Sequence, residues 1–208
     1  MLIIFTIIVL IFSAVVHEVS HGFVAEKLGD PTARLAGRLT MNPLKHLDPF
    51  GSVILPLLLA LLPGGIIFGW AKPVPYNPFN LKNPEKGAAM IAAAGPASNF
   101  LIAAAMSVIY RILPYLGSYT PTMDVVGQLI GMIILINIVL GVFNFVPIPP
   151  LDGAKVAVAL MPDSWGNFKR FFYEQNTYGW ILLAVLIFIG IPIISPIMYW
   201  VFHIFTGV

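Results

Sequence analysis

The sequence predicts an all-α membrane protein, a polytopic bundle of transmembrane helices with one small membrane-associated β-hairpin. Three observations predict it. Only 10% of the 208 residues are charged and 59% are hydrophobic, whereas soluble domains carry about 25% charged residues. The mean hydropathy is +0.92. Long apolar runs recur along the chain, separated by polar connections too short to form a soluble domain of their own, and a membrane helix needs about 20 such residues. One membrane-embedded domain over residues 1–208, surrounded by a lipid bilayer, is therefore expected. A net charge of +2 is too small to argue for nucleic acid. There is no cysteine, which excludes disulfides and thiolate metal sites, so any metal must rest on His, Asp or Glu.

Residues 1–25 form the first span. Residues 1–16 carry no charge and only two hydroxyls, Thr6 and Ser13. A signal peptide would show a basic start and a small-residue cleavage site; neither is present, so the segment reads as a retained span. Glu26 and Lys27 mark its exit, and Gly29-Asp30-Pro31 stops the helix. Near its end stands His17-Glu18-Val19-Ser20-His21. On a helix, positions i and i+4 share a face, so His17 and His21 present two imidazoles to one metal ion. Glu18 sits one step round, in reach of a water on that metal without ligating it. Two ligands and a general base in one turn is the arrangement of a zinc peptidase. An ionisable group at the bilayer centre costs about 2.5–3.5 kcal/mol on insertion scales; a metal in a water-filled cavity compensates for it. The bland alternative is two histidines hydrogen-bonded inside a helix bundle.

Residues 32–49 are the most polar section. His46 and Asp48 lie there, and a solvated interfacial loop is expected rather than a second metal site. Residues 50–69 are apolar but broken by Pro56 and Pro63-Gly64-Gly65, so they either span or re-enter. The stretch from Gly69 to Pro78 reads as extended. Pro73 and Pro75 strip one edge of donors while Lys72, Val74 and Tyr76 keep theirs on the other, an edge-strand pattern. A hairpin between residues 37–42 and 69–76 is expected; the alternative is a proline-rich interfacial loop anchored by Trp70 and Tyr76.

Residues 87–113 form the next span, with Gly95-Pro96-Ala97-Ser98-Asn99 inside it and small residues that allow close helix approach. Asn99 is expected to make an interhelical hydrogen bond. Residues 125–146 form another span, running into Phe145-Val-Pro-Ile-Pro-Pro-Leu-Asp152-Gly153, where the prolines forbid a regular helix. Irregular backbone at membrane depth is tolerated only where protein or a cavity covers it. An interfacial segment is expected around Trp165 to Tyr173. The last apolar run, 180–206, is the fourth expected span, kinked by Pro192 and Pro196, with His203 at the interface.

Lysine and arginine favour the cytoplasmic side. If residues 50–69 re-enter, every Lys and Arg except Arg111 falls on one side; if they cross, the bias disappears. The rule therefore favours a re-entrant segment, an outside N-terminus, and a site in the cytoplasmic half of the membrane. The absence of targeting signals points to a prokaryotic cell membrane.

A catalytic zinc usually has three protein ligands and leaves the fourth position open. Position 27, where a third histidine of an extended motif would fall, is lysine. Glu26 is too close in sequence to turn back, and Glu85 and Glu174 lie in polar loops. Asp152, an isolated acid at a helix break, is the best candidate; its alternative role is to cap the segment starting at Gly153.

His17-Glu18-x-x-His21, Gly95-Pro96-x-x-Asn99 and Asn144-Phe-Val-Pro-Ile-Pro-Pro-Leu-Asp152-Gly153 resemble the site-2 protease family of intramembrane zinc metalloproteases, over about residues 10–160. The resemblance implies one Zn2+ held by His17, His21 and Asp152, Glu18 as catalytic base, and Asn144 placed to bind substrate or stabilise an oxyanion. It implies a transmembrane protein or peptide as substrate, cut within the membrane. The chain looks like a short member, with no span before the H-E-x-x-H helix and no PDZ or CBS domain. Such a substrate must unwind locally, and the edge near residues 69–76 is expected to hold it extended by β-addition. The rival classes are a membrane metal transporter, to which broken helices are also suited, and a non-catalytic scaffold with a metal site. No inverted repeat is visible, and transport does not require a glutamate between paired histidines.

Overall fold

The computed structural model describes residues 2–54, 58, 70–116, 120–173 and 177–207. Three of its helices are long and apolar enough to cross a membrane: α1 (Leu2–Lys27) and the helices α3 (Pro84–Ile112) and α4 (Pro121–Phe145). Between them lies the single turn α2 (Thr32–Leu35). After them come α5 (Asp152–Leu160), α6 (Gly166–Tyr173), α7 (Thr177–Val185) and α8 (Ile191–Thr206).

Three of the four expected spans correspond to long apolar helices within a few residues of their predicted bounds, and local chemistry explains their ends. Helix α1 closes at Gly29, whose φ of 106° only glycine adopts cheaply. There Gly29 N–H donates to the Glu26 carbonyl (3.0 Å) and Asp30 N–H to that of Ala25 (2.9 Å), a Schellman closure. Helix α3 begins with Asn83, whose side chain accepts from Lys86 N–H, followed by Pro84 in the first turn. Thr120 and Pro121 start α4 in the same way. The last apolar run is not one helix. It divides into α7, a π-helical turn over Leu186–Gly190, and α8. Pro192 has no N–H to give to the turn before it, so the regular ladder cannot run through.

Polarity is turned inside out relative to a soluble bundle. Ser13, Asn99, Ser107 and Asn137 are buried, while Ile3, Ile4 and Leu101 are exposed, as a lipid-facing surface requires. The main apolar core joins α3, α4 and α8 through Ala103, Ile130, Ile134, Ile138 and Met198. Gly141 receives Phe100, whose ring would lie 2.9 Å from a Cβ there, so the two long helices meet closely at a small residue.

The expected β-hairpin is not formed: the described residues contain no strand. Residues 70–76 form no regular element, and their hydrogen bonds go elsewhere. Lys72 N–H donates to the His46 carbonyl (2.8 Å) and Trp70 N–H to that of Gly51 (3.1 Å). The Lys72 carbonyl accepts from Arg38 Nη2 (2.7 Å), and Val74 N–H donates to a side-chain carboxylate of α1. Irregular loops and side chains have taken the places a partner strand would fill. Most of residues 50–69 lies outside the described residues; its start, Pro49–Ile54, is a π-helical turn. The loop before it is not a solvated one throughout, because His46 is 1% exposed and bonded through Nε2 to the Thr40 carbonyl (2.9 Å). Asp48 caps the following turn, accepting from Phe50 N–H and Gly51 N–H. The interfacial segment expected around Trp165 to Tyr173 is α6, tied to the start of α3 by Lys169, which bonds Glu85 (2.6 Å) and Asp163 (3.1 Å). The bond to Glu85 raises the Lys169 ammonium above its ordinary value, burial opposes this, and Asp163 adds to it.

Candidate metal centre

Two neighbouring ridges of α1 build the site. The first carries His17 and His21, one turn apart and both buried, with ring centroids 4.7 Å apart and planes nearly perpendicular. They face α3 at Gly95. A Cβ on Gly95 would stand 2.5 Å from Nε2 of each histidine, so only glycine leaves room for both rings. One turn further along α3, Asn99 lies on the same face. His17 Nδ1–H donates to Asn99 Oδ1 (2.7 Å), and His21 Nδ1–H donates to the Ile91 carbonyl (2.6 Å).

These two bonds fix the tautomers. A carbonyl oxygen can only accept, so in the neutral ring Nδ1 carries the proton and Nε2 an open lone pair. Asn99 is fixed in turn. Its Nδ2 donates to Asn137 Oδ1 of α4 (3.0 Å), and Asn137 Nδ2 donates to Ser13 Oγ of α1 (3.0 Å) and to the Ile133 carbonyl (2.9 Å). Both asparagines are fully buried, and a buried polar network is stable only when satisfied in this way.

Asp152 arrives from the other side, in the first turn of α5. Its Oδ2 stands 3.1 Å from His17 Nε2 and 3.2 Å from His21 Nε2. The prolines after α4 end that helix at Phe145 and turn the chain back, so Asp152 meets His17, 135 positions earlier. Leu151 occupies the N-cap position of α5 and Asp152 its first helical position, so this carboxylate does not stand where a capping side chain would.

Three lone-pair donors thus converge, all within 4.8 Å of one another. Without a cation, a carboxylate oxygen facing two open imidazole nitrogens is electrostatically unfavourable. The spacing fits a zinc-sized ion. Tetrahedral zinc bonds of 2.0–2.1 Å imply ligand separations of about 3.3 Å, close to the two distances found. The outer partners on Nδ1 are those a metal-binding histidine needs for orientation.

Glu18, on the second ridge, is not a member of this cluster. Its Oε2 accepts from Val74 N–H (2.9 Å), which leaves Oε1 for other chemistry. Asn144 is half-buried near the end of α4, and its Nδ2 donates to the Leu140 carbonyl of its own helix (3.0 Å). No hydrogen bond joins it to the three ligand candidates among the described residues. The donors of Lys72 and Val74 are already engaged, so the edge expected to take a substrate strand does not offer them.

Sequence reasoning assigned Asn99 to an interhelical bond and missed that it orients His17. The signal was present: Gly95 and Asn99 are four apart, hence on one face. The parts played by Gly95, Ser13 and Asn137 were also missed, and only Gly95 belonged to a motif already singled out.

Comparisons with known proteins agree with this geometry. The model of Peptidase family M50 matches residues 5–122 and 119–189. The chain is 37% identical to "Putative zinc metalloprotease YwhC" of Bacillus subtilis (strain 168) over 188 residues, 88% of this chain and 79% of that one. It is 29% identical to "Putative zinc metalloprotease Rip2" of Mycolicibacterium smegmatis over 203 residues, 95% of this chain and 72% of that one. It is 24% identical to "Zinc metalloprotease MJ0392" of Methanocaldococcus jannaschii over 181 residues, 87% of this chain and 41% of that one. No solved structure matches the chain at a significant level.

Proposed function

The chain belongs to peptidase family M50, the site-2 protease family, and on that footing we propose that it is a zinc-dependent endopeptidase which hydrolyses peptide bonds within or near transmembrane segments of membrane-protein substrates. The convergence of His17 Nε2, His21 Nε2 and Asp152 Oδ2 is the observation that carries this reading.

His17, His21 and Asp152 would hold the metal. Zinc in that position supplies a Lewis acid that polarises a carbonyl and brings the pKa of a water to about 7. Glu18 takes the proton from the attacking water on its free oxygen and later delivers it to the leaving amine. His17 and His21 keep their tautomers throughout, because Asn99 and the Ile91 carbonyl hold the Nδ1 protons. Asn144 contributes an amide donor toward the developing oxyanion through the second N–H of its Nδ2, the first being given to the Leu140 carbonyl. The substrate is a transmembrane protein or peptide, unwound locally so that its scissile bond is freed from helical hydrogen bonds. With residues 50–69 re-entrant, the distribution of Lys and Arg supports a site in the cytoplasmic half of the membrane.

The test is cleavage of a single-span membrane substrate carrying a helix-breaking residue. Wild type and Glu18→Gln are run side by side, with zinc content measured on both. Cutting by wild type alone, with zinc in both, is the expected result. Loss of zinc together with activity in Glu18→Gln would make Glu18 structural, and no cutting by folded, zinc-loaded wild type would refute the protease reading.

A further inference from the structure

The ridge of α1 that bears Glu18 has a glycine one turn on, just as the histidine ridge meets one across the helix interface. A Cβ on Gly22 would stand 2.7 Å from Leu39 Cδ2, 2.8 Å from Val74 Cγ1 and 3.0 Å from Ala33 Cβ. Val74, 8% exposed, therefore seats directly on the helix, and this brings its N–H to Glu18 Oε2 at 2.9 Å.

The backbone on both sides of Val74 is clamped. Before it, the Lys72 carbonyl accepts from Arg38 Nη2 (2.7 Å) and Lys72 N–H donates to the His46 carbonyl (2.8 Å). After it, Asn77 N–H donates to Asp30 Oδ2 (2.6 Å). Asp30 is fully buried, and it also accepts from Thr32 and from Asn80 Nδ2 (2.7 Å). Pro73 and Pro75 complete the arrangement. They have no N–H, and each restricts the residue before it to extended backbone, so Val74 carries the one donor of residues 73–75 in a pre-set direction. Arg38 is 8% exposed, and among the described residues it forms no ion pair. Its Nη2 is directed at the Lys72 carbonyl, with the Pro73 carbonyl at 3.4 Å, while its buried Nε has no partner. A buried guanidinium without a carboxylate is costly, and holding this peptide is the service for which the structure uses it.

We propose that the Val74 backbone N–H orients Glu18, and that Arg38 and Asp30 are positioning residues which act through Val74. The proposal rests on the endopeptidase reading. A glutamate free of such a bond samples several rotamers. With Oε2 pinned to a fixed peptide, Oε1 is left with fewer orientations in which to pass a proton between water and leaving amine. The bond therefore affects turnover and leaves metal and substrate binding alone.

The test replaces the Val74 amide by an ester in the full-length, zinc-loaded chain, which removes the N–H and keeps the side chain. It is run with Arg38→Ala, Arg38→Lys, and the ester combined with Arg38→Ala. The readouts are kcat, KM, zinc content and the Val74 amide proton shift in wild type and Glu18→Gln. A hydrogen bond to a charged group predicts a drop in kcat of about tenfold to a hundredfold in the ester, with KM and zinc unchanged. Arg38→Ala should produce a similar drop, add little in the ester background, and be partly rescued by Arg38→Lys. Glu18→Gln should move the Val74 amide proton upfield. An ester with wild-type kcat in an active enzyme overturns the role of Val74 and leaves the protease reading intact. Losses from Arg38→Ala that multiply with the ester, or that fall on zinc and KM, overturn the role of Arg38. Should a variant fail to fold, an unmoved Val74 shift in Glu18→Gln overturns the contact by itself. Zinc-loaded wild type that does not cleave removes the endopeptidase reading, and this role with it.

Discussion

Gly95→Ala is the smallest substitution that should dismantle the metal centre. The new Cβ would lie 2.5 Å from both Nε2 atoms, whereas ordinary van der Waals contact begins at 3.4 Å. Moving from one to the other needs a displacement of about 0.9 Å, nearly half the length of a zinc–nitrogen bond of about 2.0 Å. The rings cannot retreat freely, because each Nδ1 is tied to a buried acceptor. Overpacking of this kind costs about 1–3 kcal/mol, and disturbance of ligand orientation typically costs 10–100-fold in metal affinity. A helix-interior Gly→Ala change on its own is favourable by roughly 0.8–1 kcal/mol, so helix propensity works against the predicted loss. Gly131→Ala in α4 supplies the comparison, since its nearest neighbour, Tyr110, lies 3.8 Å from the added methyl. The assay is zinc affinity by chelator competition in detergent, with thermal unfolding of the apo and zinc-loaded forms. Gly95→Ala should bind zinc at least tenfold more weakly and show less zinc-induced stabilisation, while Gly131→Ala matches or exceeds wild type. Wild-type zinc affinity in folded Gly95→Ala would refute the packing argument.

Asp152→Ala removes the one carboxylate of the donor set and should abolish stoichiometric zinc binding; full retention of zinc, measured by metal analysis, would refute its assignment as a ligand. Asn99→Ala frees the His17 tautomer and strands the Asn137 amide. It should weaken zinc about 10–100-fold and destabilise the apo form by about 1–3 kcal/mol, read by chelator competition and unfolding. Asp30 adds a pH dependence. Burial pushes its carboxyl up, but hydrogen bonds from Thr32, Asn80 and Asn77 outweigh it and hold the folded value below the ordinary one. Its contribution is therefore complete above about pH 4 and is lost as pH falls through the lower folded value. Asp30→Asn should flatten that acid limb in unfolding measurements, and an unchanged limb would show that the carboxylate is not the group responsible.

The long helices and the metal centre were legible because both rest on local rules. Apolar runs of sufficient length leave few options in a membrane, and His17 with His21 converge through helix geometry alone. Asp152 was found by elimination, since few acids in this chain lie near a helix break. The connection between α1 and α3 was not legible. Alternating prolines at 73 and 75 suggest an edge strand, but a strand also needs a partner. What the segment bonds to is decided by tertiary neighbours, here Arg38, His46 and Glu18. His46 was misjudged for the same reason, because a polar stretch of sequence does not reveal which of its members a fold will cover. The roles of Gly22 and Gly95 depend on what lies opposite them, and a single helix does not show that.

The distance along the chain between His17 and Asp152, 135 residues, bears on when the activity can arise. In chain order α1 comes first, with His17, His21 and Glu18 but without Asp152. The orienting asparagines follow with α3 and α4, and the last donor is made only when α5 emerges. A chain arrested anywhere before residue 152 lacks the third donor of the candidate centre. Completion of the donor set is thus timed by the order in which the segments are made.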